Sequence, residues 1–217
     1  MKKYFFILLF AAASSFYSFA DVITDDFSAN AFGWTECAVE SSNGSSVIDK
    51  GCLTIKSKGE NKGLGAMLTA LNGVKTKVGE NTSFETHCYA PLNVQHDFKI
   101  VANVKIDKLG SDRLVGFLFN YKDDGNFYCF SFNDEMVNFQ RWVDGHIVGG
   151  IKQSMKWKDR SKVEQQWTLQ KEGDELVFFV DNIEVIRVRY MIIEYSGVGF
   201  WTFGKQTLVV YEMQYQQ

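Results

Sequence analysis

From Val22 onward the chain is a succession of short β-rich runs cut by Gly, Asp and Asn, and almost nowhere does an apolar period of 3.6 persist for three turns. This pattern argues against a helical bundle and against alternating strands and helices. Strand preference runs over 34–39, 51–57, 84–88, 98–106, 113–121, 127–132, 137–143 and 147–151, then over 165–170, 176–180, 184–189, 197–203 and 207–213. The connections carry turn chemistry. Asp123-Asp124-Gly125-Asn126, Asp144-Gly145, Glu172-Gly173-Asp174 and Asp181-Asn182 tolerate positive φ or bond their own backbone. Many short strands joined this way predict an all-β fold, a two-sheet antiparallel sandwich in which helices are minor. Residues 155–161, rich in Lys, read as a loop or a single helical turn. Nineteen Phe, nine Tyr and five Trp in 217 residues fill one sizeable core, and a single Pro with 46% hydrophobic residues excludes a disordered or collagen-like chain.

Residues 1–20 read differently. Lys2 and Lys3 precede an apolar stretch over 4–13 and a small, polar region ending Ser18-Phe19-Ala20, the three-part pattern of a secretory signal peptide. The apolar run falls short of the ~20 residues that span a bilayer. Cleavage after Ala20 leaves residues 21–217 as one β-sandwich domain, and no Cys stands at the cut to take a lipid. The formal charge of −3 becomes −5 once Lys2 and Lys3 leave. A mildly acidic surface argues against nucleic acid and anionic membrane as partners, and no second apolar run reaches spanning length. The expected address is the periplasm or the cell exterior of a bacterium. In that oxidising setting Cys37, Cys52, Cys88 and Cys129 allow three connectivities, of which Cys37 with Cys52 and Cys88 with Cys129 is favoured. His87, His96 and His146 are scattered, and no CxxC exists, so a structural zinc site is not expected.

Strand alternation sorts the aromatic residues onto faces. Phe117 and Phe119, like Tyr128, Phe130 and Phe132, share one face, with Gly116, Leu118, Cys129 and Ser131 on the other. In 137–143, Val137, Phe139 and Val143 form a core face, opposite Asn138, Gln140 and Trp142. Gln166, Thr168 and Gln170 make a further polar face opposite Trp167 and Leu169.

The order of these signals resembles a known superfamily. Asp25-Asp26-Phe27, Gly33-Trp34 and Gly51-Cys52-Leu53-Thr54-Ile55 are similar to the opening of concanavalin A-like, laminin-G-like jelly-roll domains of exported bacterial proteins. The hairpin from Phe117-Leu118-Phe119-Asn120-Tyr121 to Asn126-Phe127-Tyr128-Cys129-Phe130 resembles their central hairpin. Trp167-Thr168-Leu169, Val177-Phe178-Phe179-Val180-Asp181-Asn182 and Gly197-Val198-Gly199-Phe200 resemble their closing strands. The resemblance implies a jelly-roll sandwich over nearly all of 21–217. It does not choose among lectin-like modules, glycoside hydrolases and adhesion domains, because these motifs are turns, core aromatics and sheet glycines.

Function therefore has to come from side chains. Family 16 glycoside hydrolases of this fold carry E-x-D-x-E or E-x-D-x-x-E, which sets carboxylates on one strand face, and no such run occurs here. Glu172 and Asp174 flank Gly173 in a turn, and Asp134 and Glu135 are adjacent. There is no G-x-S-x-G elbow and no phosphate loop. A sugar-binding surface asks for rings that stack on the sugar and amides that bond its hydroxyls. Trp142 with Asn138 and Gln140 meets that demand on one strand face, and is the candidate carbohydrate site, against the alternative that Trp142 packs under a loop such as the one holding Trp157. Arg113, Trp157 and Trp201 are weaker candidates, with Trp201 read as core. Asp123, Asp124 and Asn126 form an oxygen-rich turn that is the candidate for calcium, and Asp25-Asp26 is a second acidic cluster. The reading is an exported carbohydrate-binding module without catalysis. Its alternatives are a glycan-active enzyme, such as a 3-keto-disaccharide hydrolase-like protein, and an envelope or adhesion module that binds protein.

Overall fold

The computed structural model describes residues 21–36, 44–58, 83–107, 109–110, 113–154, 164–189 and 191–217. Among these residues the chain is all strand and connection. The strands are β1 (Val22–Asp25), β2 (Gly44–Asp49), β3 (Cys52–Lys58), β4 (Ser83–Tyr89), β5 (Phe98–Ile106), β6 (Leu114–Asp123) and β7 (Asn126–Phe132). They continue as β8 (Met136–Val143), β9 (His146–Ser154), β10 (Glu164–Glu172), β11 (Glu175–Val180), β12 (Ile183–Val188), β13 (Gly197–Phe203) and β14 (Lys205–Gln216). No helix of the described residues is long and apolar enough to cross a membrane.

The strands form two antiparallel sheets. An eight-stranded sheet runs β12-β11-β10-β5-β14-β3-β2, with β1 also paired to β14, and a six-stranded sheet runs β4-β13-β6-β7-β8-β9. Each of β3 to β14 falls on a run of predicted strand. β1 and β2 were not expected: β1 is only four residues long, and β2 opens Gly-Ser-Ser. Conversely, 34–36 is not strand, and the rest of the run predicted there lies outside the described residues, as does 155–161. Side-chain bonds explain the departure. Trp34 N–H donates to Asn30 Oδ1 (2.6 Å) and Thr35 N–H to the His87 carbonyl (2.9 Å), fixing a loop that drops the Trp34 indole into the core.

The predicted faces meet in the middle. Phe117, Phe119, Phe130 and Phe132 of the six-stranded sheet pack on Trp167, Leu169, Phe178 and Tyr215 of the other. Phe130 stacks on Phe178 with ring centroids 5.0 Å apart, and Phe132 meets Trp167 edge-on at 5.0 Å. Burying each such ring contributes about 2–3 kcal/mol. The Asp25-Phe27 and Gly33-Trp34 signals are part of this core rather than an acidic site. The buried Asp25 carboxylate accepts Trp34 Nε1–H (2.8 Å) and Phe27 N–H (3.1 Å), and the Phe27 and Trp34 rings pack at 5.8 Å.

The turns behave as their residues demand. Lys50-Gly51, Asp144-Gly145 and Asp181-Asn182 each take two successive positive φ values, the backbone that two-residue hairpins require.

The Cys88–Cys129 pairing does not form. Cys88 on β4 points into the core, with Sγ 3.8 Å from Tyr215 Oη, whereas Cys129 on β7 points out of the opposite face beside Leu118. Three strand spacings, about 14 Å, also separate β4 from β7, beyond the reach of a disulfide. Both are free buried thiols; Cys52 is a free, half-buried thiol, and its expected partner Cys37 lies outside the described residues.

Candidate functional site

The six-stranded sheet turns one face to the core and the other outward, and its register lays the outward residues in three cross-strand rows. The first row runs Glu85 (β4), Trp201 (β13), Gly116 (β6), Ser131 (β7), Asn138 (β8) and Lys152 (β9). The second runs His87, Gly199, Leu118, Cys129, Gln140 and Gly150 in the same strand order. In the third, Tyr89, Gly197 and Tyr121 align across β4, β13 and β6, while Phe127, Trp142 and Ile147 align across β7, β8 and β9. Side-chain-free positions therefore form a low strip down β13 and across to Gly116. That strip is enforced: a Cβ on Gly199 would run into the β4 backbone at Thr86 and His87, and one on Gly116 would lie 2.9 Å from Cys129 Sγ.

Rings border the strip. Trp142 stacks on Phe127 (5.4 Å), Phe127 on Tyr121 (5.9 Å), Tyr121 on His87 (4.1 Å), and His87 meets Tyr89 edge-on (6.4 Å). This file of aromatics crosses the sheet from β8 to β4. Tyr121 and Phe127 are buried within it, Trp142 and His87 are half-buried, and Tyr89 is exposed.

A β-bulge places Tyr121 there. Strict alternation would set Tyr121 on the core side with Phe117 and Phe119, but the β6–β7 register slips between Phe119 and Asp123 and Asn120 takes φ +48°. The slip reverses the parity of the strand, so Tyr121 joins Leu118, Phe127 and Cys129 on the outer face. Asn120 holds the kink, its Oδ1 accepting the Glu194 and Tyr195 N–H groups at 2.8 Å each.

Beside the rings stand two carboxyls. Tyr121 Oη donates a hydrogen bond to Asp124, in the β6–β7 turn. The Glu85 carboxyl makes no hydrogen bond or ion pair with any described residue. Burial, and then the charge of Asp124, push the Glu85 carboxyl up to about 7. Burial pulls the His87 imidazole down, against the opposing pull of Asp124. It pushes the Tyr121 phenol up, helped by the bond to Asp124, and so keeps the phenol a donor. Cys129 is pushed up by burial and then by Glu85, which makes it a poor nucleophile and puts the Glu85 carboxyl within electrostatic reach of the strip.

The predicted patch is brought together on this face. Asn138 and Gln140 are buried, at 2% and 6% exposure, and Trp142 is half-buried. Asn138 Nδ2 donates to the Ser131 carbonyl (3.4 Å), while Ser131 Oγ is buried with no partner. Trp201 is not core as expected. Phe200 takes the inner side, and Trp201 alternates outward, half-buried, next to Glu85. Arg113 stands just before β6, and Trp157 lies outside the described residues. Asp123, Asp124 and Asn126, the oxygen-rich turn, each accept hydrogen bonds from neighbouring groups. Asp123 Oδ1 accepts Gly125 N–H (3.0 Å) and Asn126 Nδ2–H (2.8 Å), Asp124 accepts from Tyr121, and Asn126 Oδ1 accepts Asp144 N–H (3.2 Å). The Asn126 bond, with that of Gly145 N–H to the Gly125 carbonyl (2.9 Å), pins the β6–β7 turn to the β8–β9 turn. Among the described residues no group of three or more His, Cys, Asp or Glu is placed to hold a metal. Glu172 ends β10 of the other sheet, where Gln170 Nε2 donates to it (2.6 Å), and Asp174 stands in the β10–β11 turn.

No known protein family and no curated protein matches this sequence. Solved structures do. The chain is similar to a Bacillus licheniformis β-glucanase (TM-score 0.57, 8% identity, covering 90% of this chain and 98% of that one). It is also similar to the catalytic domain of an endo-1,3-β-glucanase (laminarinase) from Thermotoga petrophila RKU-1 (0.54, 11%, 91% and 98%). A third is the carbohydrate recognition domain of Emp47p (0.54, 12%, 93% and 98%). This chain has the concanavalin A-like jelly-roll fold. The identities are too low to carry more than the fold, so what this jelly roll does rests on its own side chains.

Sequence alone did not find Glu85, His87 and Tyr121. Glu85 and His87 alternate with Phe84, Thr86 and Cys88 in a strand whose outward side was not identified, and Tyr121 needed the bulge. The Asn120-Tyr121 pair, an αL-tolerant residue late in a strand, is the signal that could have located it.

Proposed function

We propose that this chain is an exported carbohydrate-binding module that holds an oligosaccharide on the outer face of its six-stranded sheet. The file from Trp142 to Tyr89 carries the reading, because it borders a glycine-floored strip that also holds the unpartnered Ser131 hydroxyl. The accessible rings at the two ends of the file, Trp142 and Tyr89, take the apolar face of a sugar, and the half-buried His87 and Glu85 between them supply groups that bond its hydroxyls. The fold supports the reading too, since jelly rolls of similar shape are described as glucanases and as a carbohydrate recognition domain.

Protein expressed from the full sequence and screened on a glycan array, with calcium and again with EDTA, tests it. Retention of at least one glycan class is expected in both conditions. Trp142→Ala should lower retention at least tenfold while the far-ultraviolet spectrum and unfolding midpoint stay near those of the parent. Unchanged retention removes Trp142 from the site. A glycan-active hydrolase is the second reading, favoured by the raised Glu85 carboxyl near Asp124. Release of reducing ends from a retained glycan, lost in Glu85→Gln, would establish it.

A further inference from the structure

We propose that a cleft at the open side of the sandwich binds a small zwitterion with a bulky apolar side chain, an amino acid or a short peptide, with Arg141 taking its carboxylate and Glu194 its ammonium. The cleft lies on the inner side of the six-stranded sheet, away from the ring file, and is independent of it. It arises because the two sheets end out of step. β12, the last strand of the eight-stranded sheet, lies against β8, so β9 projects beyond it and is exposed along almost its whole length. Beneath the overhang runs 191–195, the segment that follows β12. Between them opens a cleft of about 290 Å³, near the lower end of the ~300–1,000 Å³ typical of small-molecule sites.

Its walls are fixed. The inner wall is made by Tyr128 and Phe139, both buried, and by Met191, which packs on the core. Tyr128 Oη donates to the Ile192 carbonyl (3.2 Å), Asn120 Oδ1 accepts the Glu194 and Tyr195 N–H groups (2.8 Å each), and Met191 N–H donates to the Asp174 carbonyl (3.0 Å). The segment 191–195 is therefore tied along its length, and a ligand need not order it. Ile151 and Ile192 line the mouth at 44% and 70% exposure, large apolar side chains that an apolar ligand would take out of water. Gly149 keeps the cleft open. Its φ is not positive and a Cβ there meets nothing within 4 Å, so neither backbone nor packing asks for glycine, whereas a side chain would occupy the space. Gly150 differs, since its Cβ would lie 2.6 Å from the Phe139 carbonyl oxygen.

Charge then selects the ligand. Arg141 at the end of β8 and Glu194 in the segment below line the same cleft, and the side chain of neither bonds any described residue, the other included. A carboxylate alone would meet the Glu194 charge, and an amine alone the Arg141 charge. A molecule carrying both satisfies both: the guanidinium fork matches a carboxylate, and the Glu194 carboxylate accepts from the three N–H donors of an ammonium. Tyr128, Phe139, Ile151, Met191 and Ile192 leave the remaining space to an apolar side chain.

Titration calorimetry of protein expressed from the full sequence against leucine, phenylalanine and leucyl-leucine at pH 7.5 tests this. At least one is expected to bind at least tenfold tighter than glycine, than its own N-acetyl derivative, which lacks the ammonium, and than its own amide, which lacks the carboxylate. The dipeptide holds its charges farther apart than the amino acids do, so the tighter binder identifies the source. Arg141→Gln should lower the affinity for that ligand to the level of its amide, and Glu194→Gln to the level of its N-acetyl derivative. Gly149→Val, which suits a strand and fills the cleft, should abolish binding while the far-ultraviolet spectrum and unfolding midpoint stay near those of the parent. Should Gly149→Val fail to fold, the two surface exchanges carry the test. Silence towards all three ligands, affinity that survives in folded Gly149→Val, or equal affinity for a ligand and both its derivatives overturns the proposal.

Discussion

Glu85→Gln should make the protein more stable at neutral and alkaline pH, and by an amount that grows with pH. In the folded chain the Glu85 carboxyl lies at about 7 against an ordinary 4.5, chiefly through burial and secondarily through Asp124. At 1.36 kcal/mol per unit of pKa, the folded state disfavours the ionised form by about 3 kcal/mol. Between pH 4.5 and 7 the folded state holds more of this proton than the unfolded chain does. Stability therefore falls as pH rises through that window, by up to about 1.4 kcal/mol per pH unit, and levels off above it. Glutamine has no proton to lose, so the advantage of Glu85→Gln over the parent should rise by about 3 kcal/mol between pH 4 and pH 8. For a chain of this size that is a relative gain of about 6–12 °C in midpoint. Urea unfolding of both proteins at pH 4, 5.5, 7 and 8 measures it. Packing differences between amide and carboxyl offset the two curves equally at every pH, so the growth of the gap is the quantity that tests the reasoning. Asp124→Asn removes only the second cause and should keep most of the dependence. Parent and Glu85→Gln curves that stay parallel would show that Glu85 is solvated like an ordinary surface acid, and the desolvated carboxyl would be refuted.

Three further outcomes are expected. Cys88 and Cys129 should resist a thiol reagent in the folded protein and be modified, without prior reduction, once it is unfolded, which mass spectrometry reads directly. Asp25→Ala strips the buried Trp34 indole and Phe27 amide of their acceptor and should cost about 3 kcal/mol in urea unfolding, whereas loss of an ordinary surface acid costs under 1 kcal/mol. Gly116→Ala places a methyl 2.9 Å from Cys129 Sγ and 3.3 Å from the Trp201 ring and should cost about 1–3 kcal/mol. Adding Cys129→Ala should recover part of that loss, and strictly additive effects would show that the two side chains do not meet.

The fold was readable because its signals are local. Alternation over 117–119 and 128–132 assigns core and outer faces without knowledge of the partner strand, and the Asp-Gly and Asp-Asn turns fix where hairpins reverse. Where a feature depends on residues distant in sequence, reading stops. Trp34 has the composition of a strand residue, yet Asn30 and Asp25 capture its backbone and indole and hold it in a loop. The proposed Cys88–Cys129 disulfide failed for the same reason, since spacing along the chain carries no information about which face each thiol takes or how many strands lie between them.

The site was half legible, and the division follows the strand order. Asn138, Gln140 and Trp142 share one strand, so period-2 alternation alone groups them. Glu85 and Trp201 become neighbours only when β4, early in the chain, pairs with β13, near its end. Tyr121 comes next to His87 only because Asn120 enters the left-handed region and reverses the strand parity. A jelly roll draws the strands of one sheet from both halves of its sequence, so a pair of acids facing one strip need not lie within a few residues of each other. The absence of E-x-D-x-E therefore excludes one way of presenting two carboxylates on this fold, with both on a single strand. Glu85 and Asp124 reach the same face by a second way, one from an edge strand and one from a turn, and no window along the sequence is wide enough to display that arrangement without the register.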